Sequence, residues 1–203
     1  MDIDSNAPRA IAADYLGQLS RLLELLDLDA VEAAVTCLRR ARDAGATIYI
    51  AGNGGSAATA THLVNDLGKA TKRSGQRPLR VMCLSDNASW LTALGNDEGY
   101  ERVFTGQLEN FAAPGDVLIV ISASGCSPNL IDVVAYAAAH GLETMGLLGF
   151  DGGVLKDRVD HLLWLPSEIG AYGLVESGHS VIADILTSCL IADRVEMVMA
   201  SAG

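Results

Sequence analysis

His62 and Asp66 stand four residues apart in a stretch of good helix formers, so they share one face of a helix. An imidazole and a carboxylate placed together can pass a proton, orient each other or grip a divalent cation. A second set lies far along the chain. Glu176, Ser180, Asp184 and Ser188 recur at every fourth position through a segment otherwise made of Val181, Ile182, Ile185, Leu186, Cys189 and Leu190. Burying that polar stripe without partners is costly, so it is expected to face a site, an interface or water. His179, three residues after Glu176, is near enough to the stripe to stand in as an acid, with Glu176 and Asp184 ranked ahead of it. His62, Asp66, Glu176 and Asp184 are all competent metal ligands if the two helices meet. The plain alternative is that His62 is a surface residue or a satisfied core residue.

A second kind of chemistry is suggested by two turns of small residues. Thr47 to Ala51 is a short apolar run, rich in β-branched and aromatic residues, and reads as a buried strand. It breaks at Gly52-Asn53-Gly54-Gly55-Ser56, and Ser56 is predicted to cap a helix over Ala57 to Ala70. A strand that runs through glycines into a helix start gathers free backbone N–H groups around a hollow suited to phosphate. Val117 to Ile121 repeats the pattern. It ends at Ser122-Ala123-Ser124-Gly125-Cys126-Ser127, and Pro128 sits well at a first helical position. Neither turn has the GxxxxGK[ST] spacing of a nucleotide loop, and the first also lacks GxGxxG, so no nucleotide cofactor is expected.

With 203 residues and half of them apolar, the chain can build one core without disulfides or a structural metal. A formal charge of −11 speaks against nonspecific nucleic-acid binding, but a local nest of N–H groups can still hold an anion. Cys37, Cys83, Cys126 and Cys189 are scattered and read as reduced thiols of a cytoplasmic protein. Residues 1–9 lack the apolar stretch of a signal peptide, and Asp184 and Asp193 interrupt the last apolar region, against a membrane span.

The elements that must position these groups alternate. Ala10 to Leu28 carries a leucine stripe at helical spacing, expected to pack outside the main core at a subunit contact or, failing that, within the chain. Ala30 to Ala44 is a second helix, with Gly45 at its stop. Strands are read at Leu79–Leu84, Leu142–Leu148 and Val159–Leu165 besides the two above. Helices are read at Ala88–Leu94, Tyr100–Phe111, Pro128–His140 and Leu174–Met199, with Gly95 to Gly99 as a loop. Apolar strands alternating with helices predict an α/β three-layer sandwich around a parallel sheet of five strands. We expect one domain over 1–203, with leading helices at about 10–45 and the α/β core at about 46–203. Ligands of such sheets gather beyond the carboxyl ends of the strands, where both small-residue turns lie.

In order, Ile50-Ala51-Gly52-Asn53-Gly54-Gly55-Ser56, Gly95-Asn96-Asp97, Ile121-Ser122-Ala123-Ser124-Gly125 and Gly149-Phe150-Asp151-Gly152-Gly153 resemble the motifs of SIS (sugar isomerase) domains. The likeness is strongest to the phosphoheptose isomerase branch, and it covers nearly the whole chain. It implies an SIS-type fold and an aldose–ketose isomerase converting sedoheptulose 7-phosphate to a heptose 7-phosphate through an enediol-like intermediate. It also implies a homodimer or homotetramer whose sites are built from more than one subunit. A noncatalytic relative that binds the bacterial replication initiator carries similar motifs, so a binding module is the alternative.

By that resemblance Ser56, Ser122, Ser124 and Ser127 hold the phosphate, with Gly54, Gly55 and Ala123 in the same walls and Asn53 and Asp97 nearer the sugar. The resemblance implies zinc at positions matching His62, Asp66, Glu176 and Asp184; so carboxylate-rich a set also suits manganese or another hard ion. The catalytic positions fall on Asp66, Glu176 and Asp184, where the branch usually has Glu, Gln and His. Thr is usual where Ala123 stands, and Asn where Cys126 stands. His to Asp replaces a group that titrates near neutrality with one that ordinarily does not, so a carboxylic acid of raised pKa would have to serve the oxygen.

Overall fold

A computed structural model describes residues 7–73 and 76–201, with side chains as far as residue 192. Five strands form one wholly parallel sheet: β1 Thr47–Gly52, β2 Arg80–Cys83, β3 Val117–Ser122, β4 Glu143–Leu148 and β5 His161–Trp164. Their order is β2-β1-β3-β4-β5. The chain leaves β1 toward one edge and then crosses to its other side, so the order reverses between β1 and β3. Such a reversal opens a crevice at the carboxyl ends of the two strands, because their following connections diverge to opposite faces. Gly52 lies opposite Ile121 in the ladder, so the two small-residue turns leave the sheet side by side.

Period-two alternation makes both faces apolar. Ile48, Ile50, Ile119 and Ile121 pack with α2 (Leu28–Ala44), α3 (Gly55–Asn65) and α7 (Tyr172–Ser201) through Leu38, Leu63, Ile182 and Leu186. Tyr49, Leu118 and Val120 point the other way, onto α4 (Ala88–Asp97), α5 (Thr105–Leu108) and α6 (Pro128–Ala139), through Leu94, Leu108, Val133 and Val134. Each fully buried leucine or isoleucine contributes about 1.5–3 kcal/mol as area removed from water. The three-layer sandwich predicted from the strand and helix alternation is therefore the fold observed.

α1 (Pro8–Leu23) lies outside these layers and packs on α7, burying Leu22 while Ile11 and Leu16 stay exposed. α2, by contrast, is a full member of the core, with Val31, Ala34, Val35, Leu38 and Ala41 buried. Gly45 ends it in the left-handed conformation at φ 74°, as its place in the sequence suggested. α7 is long and apolar enough to cross a bilayer over Tyr172–Ala192 by length and composition, which the single Asp184 does not prevent. Its apolar side is spent on packing, with Val175, Ile182, Ala183, Leu186 and Leu190 buried against the other layers. Asp193 lies beyond the described side chains.

Local boundaries differ from the sequence reading in five places, the first being α1, which ends at Leu23 and not Leu28 because Asp27 caps the start of α2. α3 starts at Gly55, with Gly54 as its cap, so Ser56 is inside the first turn rather than the capping residue. α3 also stops at Asn65, and Asp66–Ala70 form a π turn instead of continuing the α-helix. α4 runs through Gly95 to Asp97, because the Asn87 side chain accepts the Trp90 N–H and starts a helix that one glycine does not stop. The helix expected over Tyr100–Phe111 is a 3-10 turn at Tyr100–Arg102 followed by the single turn of α5.

Candidate active site

The crevice between β1 and β3 holds a small cavity of about 150 Å³, lined among others by Asn53, Ser56, Ser122, Ala123, Ser124 and Ser127. α3 and α6 both point their N-termini toward this part of the sheet, and neither has a side-chain cap. First-turn amides left without a side-chain acceptor, beside serine hydroxyls, suit an anion. The loop's own bonds hold it open: the Gly125 N–H donates to Ser122 Oγ at 3.0 Å and the Cys126 N–H to Ser124 Oγ at 3.3 Å. Gly125 is irreplaceable on steric grounds, since at φ 62° a Cβ would come within 2.0 Å of the Gly152 carbonyl oxygen. Among the described residues no lysine or arginine lines the cavity, and its dipoles and hydroxyls suit an anion. Ala123 packs with Phe150 and Val175, where a threonine would bring a hydroxyl.

Next to it lies a wider groove of about 500 Å³ between α3, α7 and α1, with Gly55, Thr59, His62, Glu176, Ser177 and Tyr15 among its walls. Glu176 lines both spaces and so stands at their junction. Its carboxylate lies over Gly55 so closely that a Cβ there would sit 2.5 Å from it. Tyr15 reaches in from α1, donating to the Gly173 carbonyl at 2.8 Å and pairing with Ser177 Oγ at 2.8 Å. Tyr15 and Ser177 were missed in the sequence. Tyr15 sits in a leucine-striped helix with nothing to mark it as a groove wall.

His62 Nε2 is 3.1 Å from Asp66 Oδ2, and Asp184 joins them: one ligand atom from each lies within 4.8 Å of the others. Asp66 keeps the regular α-helical relation to His62, its N–H donating to the His62 carbonyl, and the π turn runs on from there. Glu176 is not in that group. Eight residues separate it from Asp184, about 12 Å along a helix, and its carboxylate is taken up over Gly55 instead. One nitrogen and two oxygen donors from two helices fit a borderline or hard divalent cation.

The polar stripe of α7 faces the groove and solvent: Glu176 and Ser180 are half-buried, Asp184 and Ser188 exposed. Asp184 is therefore exposed within the chain, contrary to the expectation of a buried acid. His179 turns the opposite way and is 0% exposed, with neither ring nitrogen hydrogen-bonded. Burial pushes its pKa down to about 4, which a backbone group of Leu148 opposes only in part. It lines neither space, so it does not stand in for an acid there. Asp97 likewise lines neither. It is exposed at the end of α4, where the Asn96 amide donates to it at 2.6 Å.

A second group of ligand atoms, on Cys37, Glu143 and His161, lies at the opposite end of the sheet. Glu143 is already shared by Arg40 and by His161 Nε2 at 2.6 Å. Burial pushes the Cys37 thiol up to about 12, with Glu143 adding to the effect. These groups read as an ion-pair network joining α2 to β4 and β5.

Residues 14–149 match the family model of the SIS domain. A phosphoheptose isomerase of Geotalea daltonii is 40% identical over 160 residues, 79% of this chain and 82% of that protein. The lincomycin biosynthesis protein LmbN of Streptomyces lincolnensis is 37% identical over 183 residues, 86% of this chain and 66% of its own length. Among solved structures, phosphoheptose isomerase GmhA from Neisseria gonorrhoeae superposes with a TM-score of 0.82 at 26% identity, covering 92% of this chain and all of that one.

Proposed function

Because the chain belongs to the SIS-domain family and to its phosphoheptose isomerase branch, we propose that it interconverts sedoheptulose 7-phosphate and a heptose 7-phosphate. It is a sugar-phosphate isomerase of the aldose–ketose type. The observation that carries the reading is the junction at Glu176, where the serine- and glycine-lined cavity meets a groove walled in part by His62, the residue that gathers Asp66 and Asp184 beside it.

The phosphate end occupies the hydroxyl and N–H cradle, and the carbon chain runs past Glu176 into the groove. Aldose–ketose exchange needs a base for a carbon-bound proton and a carrier for the neighbouring oxygen. Asp66, oriented by His62, takes the proton from C1 of the ketose, and Glu176 delivers one to the C2 oxygen, giving an enediol. The C1 hydroxyl then gives up its proton as C2 receives one, and the aldose is formed with no net proton change. Asp184 orients the His62–Asp66 pair from α7. Holding one divalent ion on His62, Asp66 and Asp184, zinc first and manganese second, is part of the proposal; one oxygen of Asp66 would go to the ion, leaving its other oxygen and Glu176 free for proton transfer. Such an ion, when bound, polarises the carbonyl.

Purified protein incubated with sedoheptulose 7-phosphate, with and without zinc or manganese, is expected to form the aldose, faster with metal. Binding of the phosphate ester with no turnover in any metal condition would establish the binding module instead. The same proposal includes a cytoplasmic protein acting on a small sugar phosphate, with no part for nucleic acid, membrane or nucleotide. Ile11, Leu16, Leu25 and Leu28, exposed on and beside α1, support a homodimer or homotetramer. Light scattering is expected to give two or four chain masses; a monomer at micromolar concentration would contradict it.

A further inference from the structure

We propose that Asn129 is a positioning residue that clamps the turn after β1 to the loop after β3, through a reciprocal amide pair with Asn53 that Tyr100 completes. Asn53 Nδ2 donates to Asn129 Oδ1 at 2.9 Å, and Asn129 Nδ2 donates back to Asn53 Oδ1 at 2.9 Å. The Tyr100 hydroxyl adds a third bond to Asn53 Oδ1 at 3.2 Å. Asn129 is 1% exposed, so its amide has no recourse to water if the pair is broken.

The pair spans the crevice where the strand order reverses. Gly52, which precedes Asn53, is held from its other side by Ser85, whose Oγ accepts the Gly52 N–H and whose O–H donates to the Gly52 carbonyl. Asn129 lies in the first turn of α6, directly after the serine loop. The two anion-facing walls are thus fixed relative to each other by side chains, beyond what the ladder at Gly52 and Ile121 provides. Only a group that both donates and accepts can replace either partner. The clamp also defines what Asn53 has left for a ligand. Its oxygen accepts twice and one N–H is committed, leaving a single Nδ2–H directed by a fixed amide plane.

The consequence for catalysis rests on the phosphosugar reading of the site, whereas the ordering of the loops does not. The full-length protein and its Asn129→Ala, Asn53→Ala and doubly substituted forms are compared by amide hydrogen exchange and by calorimetric titration with sedoheptulose 7-phosphate. Asn129→Ala is expected to speed exchange about tenfold at residues 53–56 and 122–127 while leaving β3 and β4 unchanged, and to weaken binding about tenfold. Its effect should vanish on the Asn53→Ala background, since the pair acts as a unit. Tyr100→Phe, at a 63% exposed residue, should move both readouts two- to threefold in the same direction, and decides the matter if Asn129→Ala does not fold. Unchanged loop exchange in the folded variants, or strictly additive effects, would overturn the clamp. If the wild-type protein binds no sugar phosphate, the functional reading fails, and the exchange comparison still decides the clamp.

Discussion

Asp66→Asn is expected to reduce kcat by about a thousandfold while affinity for the sugar phosphate stays within about twofold. Asparagine preserves the size and the polar contact toward His62, so the local shape survives. It cannot accept a proton from carbon. In the proposed binding mode the phosphate sits in a different cavity from His62, on the other side of Glu176, so ground-state binding has little stake in the change. Asp66→Glu supplies the control, since it restores the carboxylate with one more methylene of reach and should retain substantial turnover. Wild-type kcat in Asp66→Asn would remove Asp66 from its proposed role and pass it to Glu176.

The second large effect concerns stability. His179 is fully buried with no well-formed hydrogen bond to either ring nitrogen beyond the weak influence of a Leu148 backbone group, and burial holds its folded pKa at about 4 against an ordinary 6.5. Below pH 6.5 the unfolded chain takes up a proton that the folded chain refuses, so stability should fall as the pH drops toward 4. The loss from this residue amounts to roughly 3 kcal/mol, and it levels off once both states are protonated. Urea midpoints measured between pH 7 and pH 4 should therefore fall less steeply in His179→Leu, which also removes two unsatisfied polar atoms from the core. Other acid-sensitive groups are common to both proteins and cancel in the comparison. Parallel curves would show that the ring has a partner or a water in solution.

The sheet was legible because its strands are continuous apolar runs, and a parallel sheet buries both faces of every strand. The cavity at the ends of β1 and β3, proposed as an anion cradle, was legible for a related reason: glycine and serine cluster where backbone must approach a ligand, and that clustering survives in one dimension. The carboxylate chemistry was less so. Asp66 looked like one more turn of α3, yet it opens a π turn that no propensity marks. Glu176 and Asp184 looked like members of one ligand set, but a helix rises too far in eight residues for both to reach one point easily. His179 was taken for a neighbour of the stripe, and 3.6-residue periodicity instead turns it into the core. Asn129 escaped notice because a lone asparagine near a helix start usually signals local capping, whereas here its partner is 76 residues away.

The parallel ladder between β1 and β3 has a bearing on how substrate preference could be changed. With Gly52 and Ile121 in register, the proposed phosphate end of the site inherits its dimensions from the sheet itself and has little latitude to adapt. The other end is bounded by side chains on helices, among them Tyr15 and Ser177, joined by a single hydroxyl contact. On the proposed function, phosphate recognition and chain-length recognition fall to separate parts of the fold. Redirecting the protein to a shorter or longer sugar phosphate is then a matter of resizing α1 and the first turns of α7, with every glycine and serine of the cradle left as it is.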